Sequence, residues 1–336
     1  MSNIRFVHMG LGPMGAKVCK MALGKDGLEL VGVLELANVG KDAGEVLGLG
    51  EKTGVLLSDD IKAVLASKPD IVVNTTLSSL EKVKDQLIPI LEAGINVVST
   101  CEELAYSWDT TPEISAALDK AAKENNVTVL GTGVNPGFTM EFLPIVITGP
   151  CERTDHFLVE RIQDATSRRK PFQKKIGAGC SVSEFNELKS KGTLRHVGLR
   201  ESCDMIAAAM GWRIDEYSET IDPMMLDREV SSEFITVQVG QAAGVEQISI
   251  AKMGGKEIIR MVFQAYLGAP ETYDAIHHTG IPNMESRVIN GVHGDIATAA
   301  MTVNAIPRVI TAPPGLLTMM DLPPVHTFSG NWGTLI

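Results

Sequence analysis

Gly10, Gly12 and Gly15 stand at GxGxxG spacing in the stretch "VHMGLGPMGAKV", with Leu11 inside the first gap and Pro13 and Met14 inside the second. The preceding "NIRFVHM" reads as a strand and residues 14–23 as a helix. In that setting Gly10 permits a tight turn, Gly12 lets backbone approach a pyrophosphate, and Gly15 lets the helix pack close to the strand. The helix N-terminus adds N–H groups and a partial positive charge. The spacing predicts a dinucleotide cradle formed by Gly10, Gly12, Pro13, Met14 and Gly15. An acid is then expected about 20 residues on, at the end of the second strand. Glu35 ends "LELVGVLE" at that place. Its carboxylate suits ribose hydroxyls and repels a 2′-phosphate, so the expected cofactor is NAD or NADP, with NAD favoured. Lys41 is the first base to follow it.

Ligands of such sheets bind beyond the carboxyl ends of the strands. Three strand ends qualify. Asn74, Thr75 and Thr76 follow "DIVV", and Ser99, Thr100, Cys101, Glu102 and Glu103 follow "INVV". "GTGVNPGF" contributes glycines for close backbone approach, the Asn135 amide and Phe138, although Asn-Pro is also a plain turn signal. Thr75, Thr76, Thr100 and Asn135 are expected on the cofactor side. A carboxylate beside the cofactor can act as general base or stabilise a cationic iminium, and partial burial would raise its pKa toward the working range. Glu102 is the first choice for that role and Glu103 the second. The competing use of both is as solvated acids at a helix start. Cys101 supports a different chemistry, a nucleophilic thiolate of a nicotinamide-dependent aldehyde or semialdehyde dehydrogenase. Cysteine is equally an ordinary small buried residue.

Further along, "ERIQDATSRRKPFQKK" places Arg161 in a strand whose face it shares with Val159 and Gln163. A cleft-facing arginine suits two-pronged capture of a carboxylate, and Arg161, Gln163 and Phe138 are expected on the substrate side. Arg168, Arg169, Lys170, Lys174 and Lys175 read as a solvated basic face. The histidines show no metal-ligand spacing, and His277 and His278 in a strand would point to opposite faces. No metal is expected.

The elements that must position these groups follow a rhythm. "DIVVN", "INVVST" and "VTVLG" read as strands, separated by helices over 79–94 and 113–126. Apolar strands alternating with periodic helices predict a parallel sheet covered on both faces, the doubly wound α/β fold. After about residue 140 the rhythm changes. Strands are expected over 156–163, 233–241, 245–253 and 256–268, with few helices between them. Ser181 and Glu184 form a capping-box pattern that opens a helix running to Lys189. The expectation is a Rossmann domain over 1–140 and an α+β substrate and dimerisation domain with a mostly antiparallel sheet over 141–294. A C-terminal helix and tail over 295–336 would return to the first domain.

With 336 residues, 44% of them hydrophobic, the chain can bury cores of this size. Its net charge of −11 argues against nucleic-acid or membrane-surface partners. No apolar run reaches the roughly 18–20 residues of a membrane span. No charged-then-apolar leader pattern opens the sequence. Five cysteines, an odd number with no CxxC pair, speak against a disulfide framework. A cytoplasmic enzyme with a small-molecule substrate is expected. The open face of an antiparallel sheet needs cover, which makes a homodimer the expected assembly. A dinucleotide-sensing protein without turnover is the non-enzymatic alternative.

The stretches "HMGLGPMG", "VVSTCEEL", "GTGVNPGF", "RIQDATSRRKPFQKKIGAG" and "GDIATAAMTVNAIPRVITAPPGL" together resemble the 2,4-diaminopentanoate dehydrogenases and related native amine dehydrogenases. That group lies within the wider set whose N-terminal half is like dihydrodipicolinate reductase. The resemblance spans nearly the whole chain. It implies an NAD(P)-dependent homodimer of ornithine fermentation that oxidatively deaminates 2,4-diaminopentanoate at its 4-amino group, giving 2-amino-4-oxopentanoate and ammonia. The reverse reaction is reductive amination of ketones. The resemblance puts the catalytic glutamate in "STCEEL", in agreement with Glu102, and the carboxylate-binding arginine on Arg161. Dihydrodipicolinate reductases carry a lysine and a Ser-Gly-Thr loop after their His-His pair, and "AIHHTGIPN" lacks both.

Overall fold

The computed structural model describes residues 3–336. Its contacts divide the chain into two compact units, one of residues up to Phe138 together with His293–Ile336, the other Thr139–Val292.

The first unit begins with β1 (Ile4–Met9), α1 (Pro13–Leu23) and β2 (Leu28–Leu34), and continues through α2 (Ala43–Leu47), β3 (Leu57–Ser58) and α3 (Ile61–Leu65). Then come β4 (Ile71–Asn74), α4 (Leu80–Glu92), β5 (Asn96–Ser99), α5 (Pro112–Glu124) and β6 (Thr128–Gly131). The strands are short, apolar and buried on both faces, as a parallel sheet between helix layers requires. Val7, Val72, Val97 and Val129 pack with Leu80, Val83 and Leu87 of α4 and Leu118 of α5.

The second unit contains α6 (Phe142–Ile147), β7 (Arg153–Asp164), α7 (Lys170–Lys175), α8 (Val182–Ser190), α9 (Leu199–Met210) and β8 (Glu216–Met225). The small pair β9 (Val230–Ser231) and β10 (Thr236–Val237) precedes β11 (Ala242–Met253), β12 (Lys256–Tyr266), β13 (Tyr273–Ile281) and β14 (Met284–Ile289). Its six-stranded sheet runs β14-β13-β7-β12-β11-β8. Only β7 and β12 pair in parallel. Phe157, Val159, Met261 and Phe263 on one face form a core with Phe185 of α8 and Leu199 and Ile206 of α9. The Ser181–Glu184 capping box is present, and its helix ends at Ser190.

Two expectations for this unit need correction. Residues 233–241 are not one strand: Ser232 Oγ accepts the amides of Phe234 and Ile235, at 3.1 and 3.0 Å, folding the segment into a local turn. Within it Thr236–Val237 pairs with Val230–Ser231, and Gln241 makes a single bridge to Ser181. The twelve-residue helix α9 is an addition to the expected elements, and its buried positions include the polar Glu201, Ser202 and Asp204 beside Cys203, Met205 and Ile206.

The last elements, α10 (Gly294–Ile310) and β15 (Gly315–Leu317), belong to the first unit. Helix α10 packs on α1 and on β4–β6, the opposite side of the sheet from α4 and α5. The finished sheet has the order β15-β6-β5-β4-β1-β2-β3. That order reverses between β1 and β4, the crevice where doubly wound sheets receive ligands.

Candidate active site

The glycine turn sits at that reversal. Gly10 has φ +88, a left-handed conformation that favours glycine. A Cβ on Gly15 would lie 2.0 Å from the Gly10 carbonyl oxygen, so α1 can approach β1 only with glycine there. A Cβ on Gly12 would meet nothing within 4 Å: the outer side of the turn is open. Gly12 caps α1 without a side chain, Pro13 begins the helix, and no acid occupies its first turn. Met14, half-buried, completes that turn. The start of an eleven-residue helix that carries no acid of its own thus borders open space beside Gly12, which fits a pyrophosphate.

Beneath the turn lies His8, fully buried. Its Nε2 is 3.1 Å from the Gly10 carbonyl oxygen and 3.2 Å from Thr75 Oγ1. A carbonyl only accepts, so the ring proton belongs on Nε2, and buried Nδ1 is left without a hydrogen-bond partner. Burial pulls the imidazole pKa down to about 4, which keeps the ring neutral under the cradle. Thr75 Oγ1 lies 2.7 Å from the Gly10 oxygen and 3.0 Å from that of Met9, and Thr76 donates to Gln86 at 2.7 Å. These hydroxyls hold the frame of the turn. Glu35 accepts from the amide of Leu11 in the glycine turn, and from Leu36 and Ala37 at 2.8 and 3.1 Å. The carboxylate expected to face ribose is therefore aimed at the turn by backbone donors: Oε1 accepts two amides, and Oε2, which accepts only that of Leu11, keeps a lone pair to offer.

The end of β5 separates the two adjacent glutamates. Glu102 begins a short 3-10 turn, Glu102–Leu104, and is half-buried. Glu103 accepts the amide of Leu80, the first residue of α4, at 2.7 Å. So Glu103 is a helix-start acid, but for a helix 23 residues upstream. Cys101 is 1% exposed, donates to the Ser78 carbonyl at 3.2 Å, and has its thiol pKa pushed up to about 12 by burial. A buried, protonated thiol is a poor nucleophile, which corrects the thiolate reading of Cys101. Thr100 is half-buried and donates its amide to Asn74 O at 3.0 Å. The "GTGVNPGF" glycines have local duties. A Cβ on Gly131 would lie 2.5 Å from the Leu104 carbonyl carbon, so that glycine admits the Glu102 turn rather than a ring. Asn135 is buried, and Phe138, half-buried, ends the first portion of this unit.

In the second unit Arg161 is 2% exposed and forms an ion pair with Asp274 on β13. Its Nη2 donates to the Val292 carbonyl at 2.9 Å, and the Val292 amide donates back to Asp274 at 2.7 Å. Gln163 joins the same carbonyl at 3.3 Å and accepts from Arg168 at 3.2 Å. The Arg161 charge is thus met within the protein, and a substrate carboxylate would have to compete with Asp274. Arg168, placed with the solvated basic face, is buried, its guanidinium 4.2 Å from the Phe172 ring centre. Arg169, Lys170, Lys174 and Lys175 are exposed. Among the described residues no three His, Cys, Asp or Glu side chains gather as metal ligands. Among the described residues no helix is long and apolar enough to cross a membrane.

Comparison with known proteins adds the lineage. Residues 138–336 match the 2,4-diaminopentanoate dehydrogenase C-terminal domain, and residues 4–130 match the dihydrodipicolinate reductase N-terminus. Over 352 aligned residues the chain is 34% identical to the 2,4-diaminopentanoate dehydrogenase of Acetoanaerobium sticklandii, covering 100% of this chain and 98% of that one. The chain belongs to the 2,4-diaminopentanoate dehydrogenase family. It is therefore an oxidoreductase, which displaces the sensor alternative. Other relatives of this family member are an amine dehydrogenase of Streptomyces virginiae, 26% identical over 95% of this chain and 96% of that one, and an amine dehydrogenase structure from Mycobacterium smegmatis. The latter has a TM-score of 0.84 and 29% identity, and covers 97% of this chain and 98% of that one.

Sequence reasoning missed three residues of this family member's framework: His8, Asp274 and buried Arg168. His8 carried a usable signal, an ionisable group among the apolar residues of "FVHM", whereas Asp274 in "YDAIHH" stands beside two histidines and is not singled out. Such a group must find a partner on burial.

Proposed function

We propose that the protein catalyses NAD(P)-dependent oxidative deamination of 2,4-diaminopentanoate to 2-amino-4-oxopentanoate and ammonia, with NAD preferred. The observation that carries this reading is the position of Glu102, half-buried at the carboxyl end of β5 in a sheet whose open glycine turn fits a dinucleotide. The full-length similarity to a 2,4-diaminopentanoate dehydrogenase supports the choice of substrate.

The turn from Gly10 to Gly15 and the start of α1 hold the pyrophosphate, and Glu35 takes the ribose hydroxyls. A bound nicotinamide supplies an acceptor for the hydride that leaves the amine-bearing carbon. Glu102 first takes a proton from the substrate ammonium, since only the neutral amine can release hydride. Glu102 passes that proton to solvent, and the carboxylate so restored stabilises the cationic iminium left on the substrate. Glu102 next assists water to add at that carbon, and the carbinolamine collapses to ketone and ammonia. Purified enzyme should release ammonia and reduced cofactor in equal amounts from 2,4-diaminopentanoate, faster with NAD⁺ than with NADP⁺. Turnover confined to aldehydes would overturn the reading.

We assign a homodimer to the open face of the second unit's sheet. Leu158, Ile248, Ile250 and Val262 alternate there with buried residues and stay partly exposed, and Ile289 is 79% exposed. Such a face needs cover, and a second copy related by a twofold axis supplies the same apolar surface. Light scattering should give twice the mass of the chain, and a monomer at assay concentration would remove the assignment.

A further inference from the structure

The turn that carries Glu102 is fastened on two sides. On one side, Gly131 lets the Leu104 backbone press onto β6, where any Cβ would collide. On the other side three bonds tie it to Ser78, between β4 and α4, and to Leu80, the first residue of α4. Glu103 accepts the Leu80 amide at 2.7 Å, the Glu103 amide donates to Ser78 O at 3.4 Å, and the Cys101 thiol donates to the same oxygen. Helix α4 leaves its first amides without partners inside the helix, and Ser79, at the position where a serine normally caps, makes no side-chain bond to them. The cap is instead the Glu103 carboxylate, a charge-assisted acceptor at the positive end of a thirteen-residue helix. The same segment carries Thr75, whose hydroxyl meets the Gly10 oxygen. A continuous set of contacts therefore joins the glycine turn to the Glu102 turn, and Glu103 is its last charged member.

We propose that Glu103 is a positioning residue for the deamination: by capping α4 it fixes the Glu102 turn relative to the dinucleotide turn. This rests on the proposed role of Glu102. A fastener lost near a reacting group lowers the rate more than it weakens ligand binding, because small misplacements are costly at the chemical step.

Glu103→Ala should lower kcat about tenfold to a hundredfold and leave the dissociation constant for the dinucleotide within about twofold. Glu103→Gln keeps an oxygen that can accept the Leu80 amide and should recover most of kcat. Adding Ser79→Asp to Glu103→Ala restores a local cap without a link to the turn. It should return the thermal midpoint but not the rate. Full kcat in Glu103→Ala, a Gln variant as impaired as the Ala variant, or recovery of kcat by the local cap would each overturn the proposal. Glu102→Gln run alongside separates the two ideas. If it retains turnover, Glu102 is not the base and Glu103 has nothing to position. If it is inactive while Glu103→Ala is unimpaired, only the fastener fails.

Discussion

Glu102 and Arg161 occupy opposite kinds of place. Glu102 starts a three-residue turn just past the end of a four-residue strand and keeps part of its surface open. Arg161 lies inside a twelve-residue strand, on the face shared with Val159, and is 2% exposed. A strand end carries little packing, so an acid can stay there for chemistry. A strand interior removes a charge from water, and the protein must then supply the counterion itself. Asp274 does so for Arg161, and the pair also secures both backbone groups of Val292.

Breaking the enclosed pair should give the largest loss of stability. Asp274→Ala leaves a buried guanidinium uncompensated, and urea unfolding should show a loss of about 3–5 kcal/mol. Replacing both partners by apolar groups of similar size, Arg161→Met with Asp274→Leu, should come within about 1–2 kcal/mol of the parent, since burying an ion pair gains little over good packing. A single substitution costing no more than the double one would show that Arg161 is not enclosed in solution. It would reopen its use as a carboxylate-binding group.

The same contrast decides what the amino-acid sequence shows by itself. The alternation of short apolar strands and periodic helices in the first unit is local information, and so are the glycine spacing and the Glu35 offset. Which of Glu102 and Glu103 caps a helix depends on Leu80, a contact across 23 positions that no local pattern encodes. Arg168 read as one of five cations in a basic run, although its partners Phe172 and Gln163 stand only four and five positions away; the run alone does not show which of its members turns inward. The segment 233–241 looked extended by composition, but the Ser232 hydroxyl gave its amides a local alternative. Charges are hard to read where the partner is remote, as for Glu103, and apolar alternation misleads where a hydroxyl competes for the backbone, as at Ser232.

The most direct test is the kcat of Glu102→Gln with 2,4-diaminopentanoate and NAD⁺, measured with dinucleotide affinity and the unfolding curve in the same preparations. Loss of general acid–base catalysis predicts a fall in kcat of about 10²–10⁴-fold. Affinity and unfolding should be close to those of the parent. Turnover retained within a few fold of the parent would contradict the assignment of Glu102 as the proton-transferring group.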